Sequence, residues 1–288
     1  MDPRQVVTRL LRGESVDLSL NQHDSLIVAE QAFGDGHEDL VNRLSQDLND
    51  IELQILEFRK AQIANNADLA QQCLATALKA SRTKTQRDHL LEARIRMEWG
   101  ILRASIGEFE NAGVDLKWAV ERLGVLSEGH RWHGLALLNM AEWHRSRGEF
   151  GMALAVHAEM SRHGPHLVEI ISISRRRAAE ILVAKNHIYS AIRNLWIAYQ
   201  GFRQTNMEPE AIEAGLHWID LGLTEVSSEA PEMRVAVDTA APRSAGEPKQ
   251  RAWVHPSDLE MMCKWIESRT DDIDAKAVLE DAHQALHL

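Results

Sequence analysis

The stretch Gly107-Glu108-Phe109 returns as Gly148-Glu149-Phe150, 41 residues on, and in both copies an alanine stands five residues after the glycine, Ala112 and Ala153. An equivalent alanine occurs at Ala70, 42 residues before Ala112, and at Ala191, 38 residues after Ala153. Four units of 38 to 42 residues therefore run from about residue 51 to residue 204. Self-similarity at such a period is the mark of one supersecondary unit stacked several times, because a single unit cannot bury its own apolar faces.

Each unit places a turn residue five positions before its alanine: Asn65, Gly107, Gly148 and Asn186. Glycine and asparagine tolerate the left-handed backbone that ends a helix, so each position predicts a helix stop. Twelve positions before the alanine stands a second small residue, Gly100, Ala141 or Ala179; the first unit departs from this with Phe58. Small residues facing each other let two antiparallel helices approach closely. The apolar residues after each alanine keep helical spacing, as in Leu116, Ala119 and Val120. No proline lies between Pro3 and Pro165, which favours helix over that whole stretch. The pattern predicts an all-α fold, an α-solenoid of stacked antiparallel helical hairpins.

Around this array the sequence divides further. Residues 1–50 read as an N-terminal helical cap or divergent repeat, with a helical pair around Gly34 and Gly36. The array proper spans 51–225. Residues 226–252 hold prolines and no sustained period, and read as a flexible loop or linker. Residues 253–288 resume helix, with Leu259, Met262 and Trp265 expected to pack back as a closing cap.

A small residue, a turn glycine, an aromatic two positions later and an alanine three after that together resemble the tetratricopeptide repeat. The residues carrying the resemblance are Gly100, Gly107, Phe109, Ala112 and Ala119, then Ala141, Gly148, Phe150 and Ala153, then Ala179, Asn186, Ile188, Ala191 and Ala198. It covers about half the chain. The family's proline after the second helix is missing, Pro165 excepted, and the period exceeds the family's usual ~34 residues. The resemblance implies a right-handed superhelix whose first helices line a concave groove, and a non-catalytic role as a protein-binding scaffold or adaptor. Regulatory sensing of a small ligand or peptide is the alternative it leaves open.

Charge points to a place on that groove. The chain sums to −11, which argues against nucleic acid and anionic membranes as partners. Residues 161–204, in contrast, carry seven bases against Glu169 and Glu180. In the groove the column two residues before the small position runs Glu98, Asn139, Arg177, and its neighbours add Arg176 and Glu142. An asparagine followed by an arginine resembles part of the carboxylate clamp of chaperone-binding tetratricopeptide proteins, although Leu56 stands where the first unit would contribute. Arg176, Arg177, Asn139, Glu142, Arg145 and Glu98 are therefore the candidate contacts for a protein or peptide with an acidic segment.

Other chemistry is sparse. Among fourteen histidines, His130 with His133 and His163 with His166 form two HxxH pairs that flank the third repeat, so a fold bringing them together would offer metal-type ligands. No thiolate or nearby carboxylate completes a set, and no metal or cofactor is assigned. Phosphate-binding, dinucleotide, zinc-protease and serine-hydrolase motifs are absent, so no enzymatic role is expected. Cys73 and Cys263 sit among apolar residues and read as packed thiols. With no apolar signal core and no stretch near the ~20 apolar residues of a membrane span, a soluble, cytoplasmic protein is expected.

Overall fold

The computed structural model describes residues 3–18, 23–83, 87–239 and 254–286. Among them every regular element is helical, and the β features amount to one isolated bridge between Val226 and Val254. The fold is all-α, as the period predicts. The chain forms two compact units, residues 1–126 and 127–288. That boundary falls inside the stretch 51–225, which the period presents as continuous.

The first unit contains α1 (Pro3–Leu11), α2 (Asp24–Gly34), α3 (Glu38–Leu44), α4 (Asp50–Ile63), α5 (Ala67–Thr83), α6 (His89–Ser105) and nearly all of α7 (Phe109–Ser127). The second contains α8 (Arg131–Ser146), α9 (Phe150–Glu159), α10 (Val168–Ala184), α11 (Ile188–Gln204), α12 (Glu208–Gly222), α13 (Met233–Thr239), α14 (Pro256–Glu267) and α15 (Ile273–Leu286).

One local device ends six of these helices. Gly36, Asn65, Gly107, Gly148, Asn186 and Asn206 all have positive φ, between 53° and 84°. In each case the next residue's N–H bonds the carbonyl five positions back, for example Glu108 to Arg103 at 2.8 Å and His187 to Leu182 at 2.8 Å. This is the Schellman closure, which satisfies carbonyls that the helix end leaves bare. It reverses the chain at once, so the helices on either side pack together: α2 on α3, α4 on α5, α8 on α9, α10 on α11, and α11 on α12.

Small residues set how near those helices come. Ala112, Ala141, Ala153, Ala179 and Ala191 are all fully buried. A methyl group placed at Gly100 of α6 would lie 2.6 Å from Leu116 Cγ of α7, and one at Gly134 of α8 would lie 2.6 Å from Ile170 Cγ2 of α10. Neither position has room for a side chain.

Charged groups in the first unit's interior are paired. His23, at the N-terminus of α2, receives Glu52 at 2.6 Å and Asp88 at 3.4 Å, and these acids cap α4 and α6. Burial opposes a charge on His23, yet the two carboxylates lift it to about 9. Arg94, buried in α6, is held by Glu98 and by Glu30 of α2.

In the second unit the C-terminal helices contribute to the apolar core. Leu259, Met262 and Cys263 are fully buried, and Trp265 meets Tyr199 edge-on with ring centroids 5.3 Å apart. The segment 226–252 is not wholly a loop. Its α13 buries Met233, Ala236 and Val237, packs on α11, and is tied to α14 by the Met233 N–H to Asp258. The i, i+3, i+4 spacing of those three residues is the physical reason. Residues 240–252 of that segment lie outside the described residues.

Gly134→Val should lower stability by about 1–3 kcal/mol, the usual cost of overpacking a tight contact. Gly151→Ala, on α9 with open space around it, should leave stability unchanged or raise it by up to about 1 kcal/mol. Chemical denaturation of both variants checks the contrast.

Candidate functional site

The expected contacts separate once their surroundings are seen. Asn139, Glu142 and Arg145 lie on α8, and Arg176 and Arg177 on α10, which packs against α8 in the second unit. Glu98 belongs to the first unit. It is buried and its carboxylate is taken by Arg94, so it is not available to a partner, and the expectation for Glu98 is corrected on that ground. Its fourth-neighbour arginine was the local signal for this pairing.

Arg176 is partly engaged: it donates to Glu213 of α12, thirty-seven residues away. Arg145 grips Glu142 with two hydrogen bonds of 2.8 and 2.6 Å, an exposed pair of small energetic weight. Arg175 points inward and donates to the Met160 carbonyl at 2.8 Å, closing the end of α9.

Arg177 is different. It is half-buried, and no hydrogen bond or ion pair reaches its guanidinium among the described residues. Burial pushes its affinity for the proton below the ordinary range, opposed by Glu142 and aggravated by Arg176; Glu180 and Arg145 act more weakly. Asn139, one helical turn before Glu142, is half-buried and its amide is likewise without a hydrogen-bond partner among the described residues. Beneath them His157 is buried, bonds Ser174 at 3.0 Å, and is held neutral down to about 4 by burial and by the adjacent Arg177 and Arg175. The site is therefore a desolvated, cation-rich surface with hydrogen-bond donors to spare.

The two HxxH pairs contribute one residue each to a contact. His166 Nε2 lies 3.3 Å from His133 Nδ1, with ring centroids 5.1 Å apart, at the point where Gly129 abuts Pro165. His130 instead caps α8 through its Nδ1, and His163 is exposed. No group of three or more His, Cys, Asp or Glu suited to a metal occurs among the described residues. Burial lowers the basicity of both His133 and His166; the neighbouring imidazole adds to this at His133, and Glu128 works against it at both. Cys73 and Cys263 are buried, and burial pushes the Cys263 thiol up to about 12, which suits packing rather than nucleophilic attack.

Trp132 and Trp218 are fully buried and Trp196 nearly so, whereas Trp99, Trp118 and Trp143 carry arginine guanidiniums on their faces. No helix among the described residues is long and apolar enough to cross a membrane. No protein-family model and no curated protein matches the chain. The crystal structure of BtubC (BKLC) from P. vanneervenii is similar with a TM-score of 0.43 and 12% identity, over 87% of this chain and 99% of that one. A likeness of that degree identifies neither fold family nor function.

The histidines set an acid limit. A group whose folded-state pKa lies below its unfolded value of about 6.5 stabilises fully above 6.5 and progressively less as pH falls below it. His133, His166 and His157 all act in this direction, the last down to about 4. His23 is charged in both states below 6.5 and adds no slope there. The melting temperature should fall between pH 6.5 and pH 5, and His157→Gln should make that fall shallower.

Proposed function

We propose that this protein is a non-catalytic scaffold or adaptor, a right-handed solenoid of tetratricopeptide-like hairpins that holds an acidic protein or peptide segment against α8 and α10. The repeated Schellman turns and the buried small residues of each unit support the solenoid reading. The observation that carries the functional reading is Arg177 of α10, half-buried and without a hydrogen bond or ion pair among the described residues, with Asn139, whose amide also has no hydrogen-bond partner among them, on the packed helix α8.

A partly desolvated cation that no carboxylate pairs with directly costs stability. An incoming carboxylate removes that cost, and a guanidinium and an amide hold a carboxylate through charge-assisted bonds. The helices on either side are fixed by packing, so little of the binding energy goes into ordering the host. Arg145 and Glu142, already locked together, add a rim that can exchange partners as the segment arrives.

Arg177→Met separates the two roles. Removing an unpaired, desolvated charge should leave the melting temperature unchanged or raise it. Binding of acidic ten-residue peptides selected by the wild-type chain from a random array should weaken at least tenfold, about 1.4 kcal/mol. Selection of peptides lacking acidic residues, or equal binding by Arg177→Met, contradicts the reading.

A further inference from the structure

The first unit holds a second concentration of positive charge, independent of the α8–α10 surface. An open cleft of about 610 Å³ lies between α5, α6 and α7, and Lys79, Arg82, Arg96, Trp99, Arg103 and Asp115 line it. The volume falls in the range of small-molecule sites, roughly 300–1,000 Å³.

The cleft has more cations than carboxylates. Arg82 and Arg87 both donate to Glu92, which is fully buried, and the two arginines hold its carboxyl below the usual range against the opposing effect of burial. Arg96 and Arg103 share Asp115. Two buried carboxylates thus serve four guanidiniums, with Glu108 at the rim 3.7 Å from Arg103. The ammonium of Lys79 has no partner among the described residues. Trp99 Nε1 is buried with no hydrogen-bond partner among them; Arg96 Nε is buried without a hydrogen bond too, but it already faces the Glu92 carboxylate at 3.8 Å.

The guanidiniums are also fixed in place. Arg96 lies over the Trp118 ring at 4.3 Å and Arg103 over the Trp99 ring at 5.2 Å, so neither swings freely in solvent. Asp115 and Glu92 already accept from arginines, so what remains unsatisfied is donors only. Such a lining suits a ligand that brings acceptor oxygens and more than one negative charge, while Leu78 and the Trp99 ring offer an apolar wall for an organic body.

We infer that this cleft is a binding site for a small phosphate-bearing molecule, a monoester or pyrophosphate, with Lys79 and Trp99 as the direct contacts. The Lys79 ammonium and the Trp99 indole N–H take phosphate oxygens, and Arg96 and Arg103, both anchored on Asp115, supply the flanking charge. This inference does not rest on the peptide-binding reading above.

Titration of the full chain with inorganic pyrophosphate, followed by calorimetry and by the indole N–H resonance of Trp99, tests it. Saturable binding with Kd below about 1 mM (about 4 kcal/mol) and a shift of that resonance are expected. Lys79 is exposed, so Lys79→Glu should fold normally and bind at least tenfold more weakly; Trp99→Phe should also weaken binding. Arg177→Met should bind pyrophosphate as the wild type does. Absence of saturable binding, equal affinity in Lys79→Glu, loss of affinity in Arg177→Met, or tighter binding of citrate or of a ten-residue oligothymidylate overturns the inference.

Discussion

Two helices can lie only as near as the side chains between them permit, and the architecture depends on that limit at a few repeated positions. At Gly100 and Gly134 a neighbouring side chain occupies the space another carbon would need, and five alanines of the repeat are fully buried. The left-handed residue at the end of the preceding helix supplies the other half of the constraint, because it fixes how abruptly the chain turns back. Together they make one unit that can be written repeatedly in different residues, provided these positions stay small. The large side chains, among them Leu116, Leu195, Trp218 and Phe202, then fill the layers on either side.

Buried polar groups are handled in two ways. In the first, buried charge is matched: His23 stands between Glu52 and Asp88, and Arg94 between Glu30 and Glu98. In the second, His133, His157 and His166 remain neutral, and Arg177 stays charged without a partner among the described residues. Matched groups have spent their bonding capacity on the fold. Unmatched donors retain it, and this is the physical basis for placing recognition at Arg177 with Asn139 and at Lys79 with Trp99.

Much of the helical pattern was legible because its carriers have few substitutes. Only glycine and asparagine serve readily at positive φ, so Asn65, Gly107, Gly148 and Asn186 announced their turns directly. Asn206 does the same work between α11 and α12 but falls outside the 40-residue interval, and periodicity passed over it. Prolines on either side of Met233, Ala236 and Val237 masked the short helix α13. The site was less legible. Equivalent repeat positions placed Glu98 beside Asn139 and Arg177, yet equivalence in a column does not fix burial, and Arg94 one turn earlier claims Glu98. The Arg176–Glu213 contact and the meeting of His133 with His166 span 37 and 33 residues, distances at which no local spacing announces a pair. The basic cleft combines Lys79 and Arg82 of α5 with Arg96 and Arg103 of α6; each set shares a helix face, but only the packing of the two helices makes a cleft of them.

The central claim, that close approach at small residues sets the helix pairing, is tested most directly by a double-mutant cycle between Gly100→Ala and Leu116→Ala. The added methyl and the Leu116 Cγ compete for one space, 2.6 Å apart. The account predicts that the double variant is more stable than the sum of the single effects by at least about 1 kcal/mol, the coupling expected of residues in contact. Additive losses within about 0.3 kcal/mol would mean that the two positions do not share that space, and would contradict it.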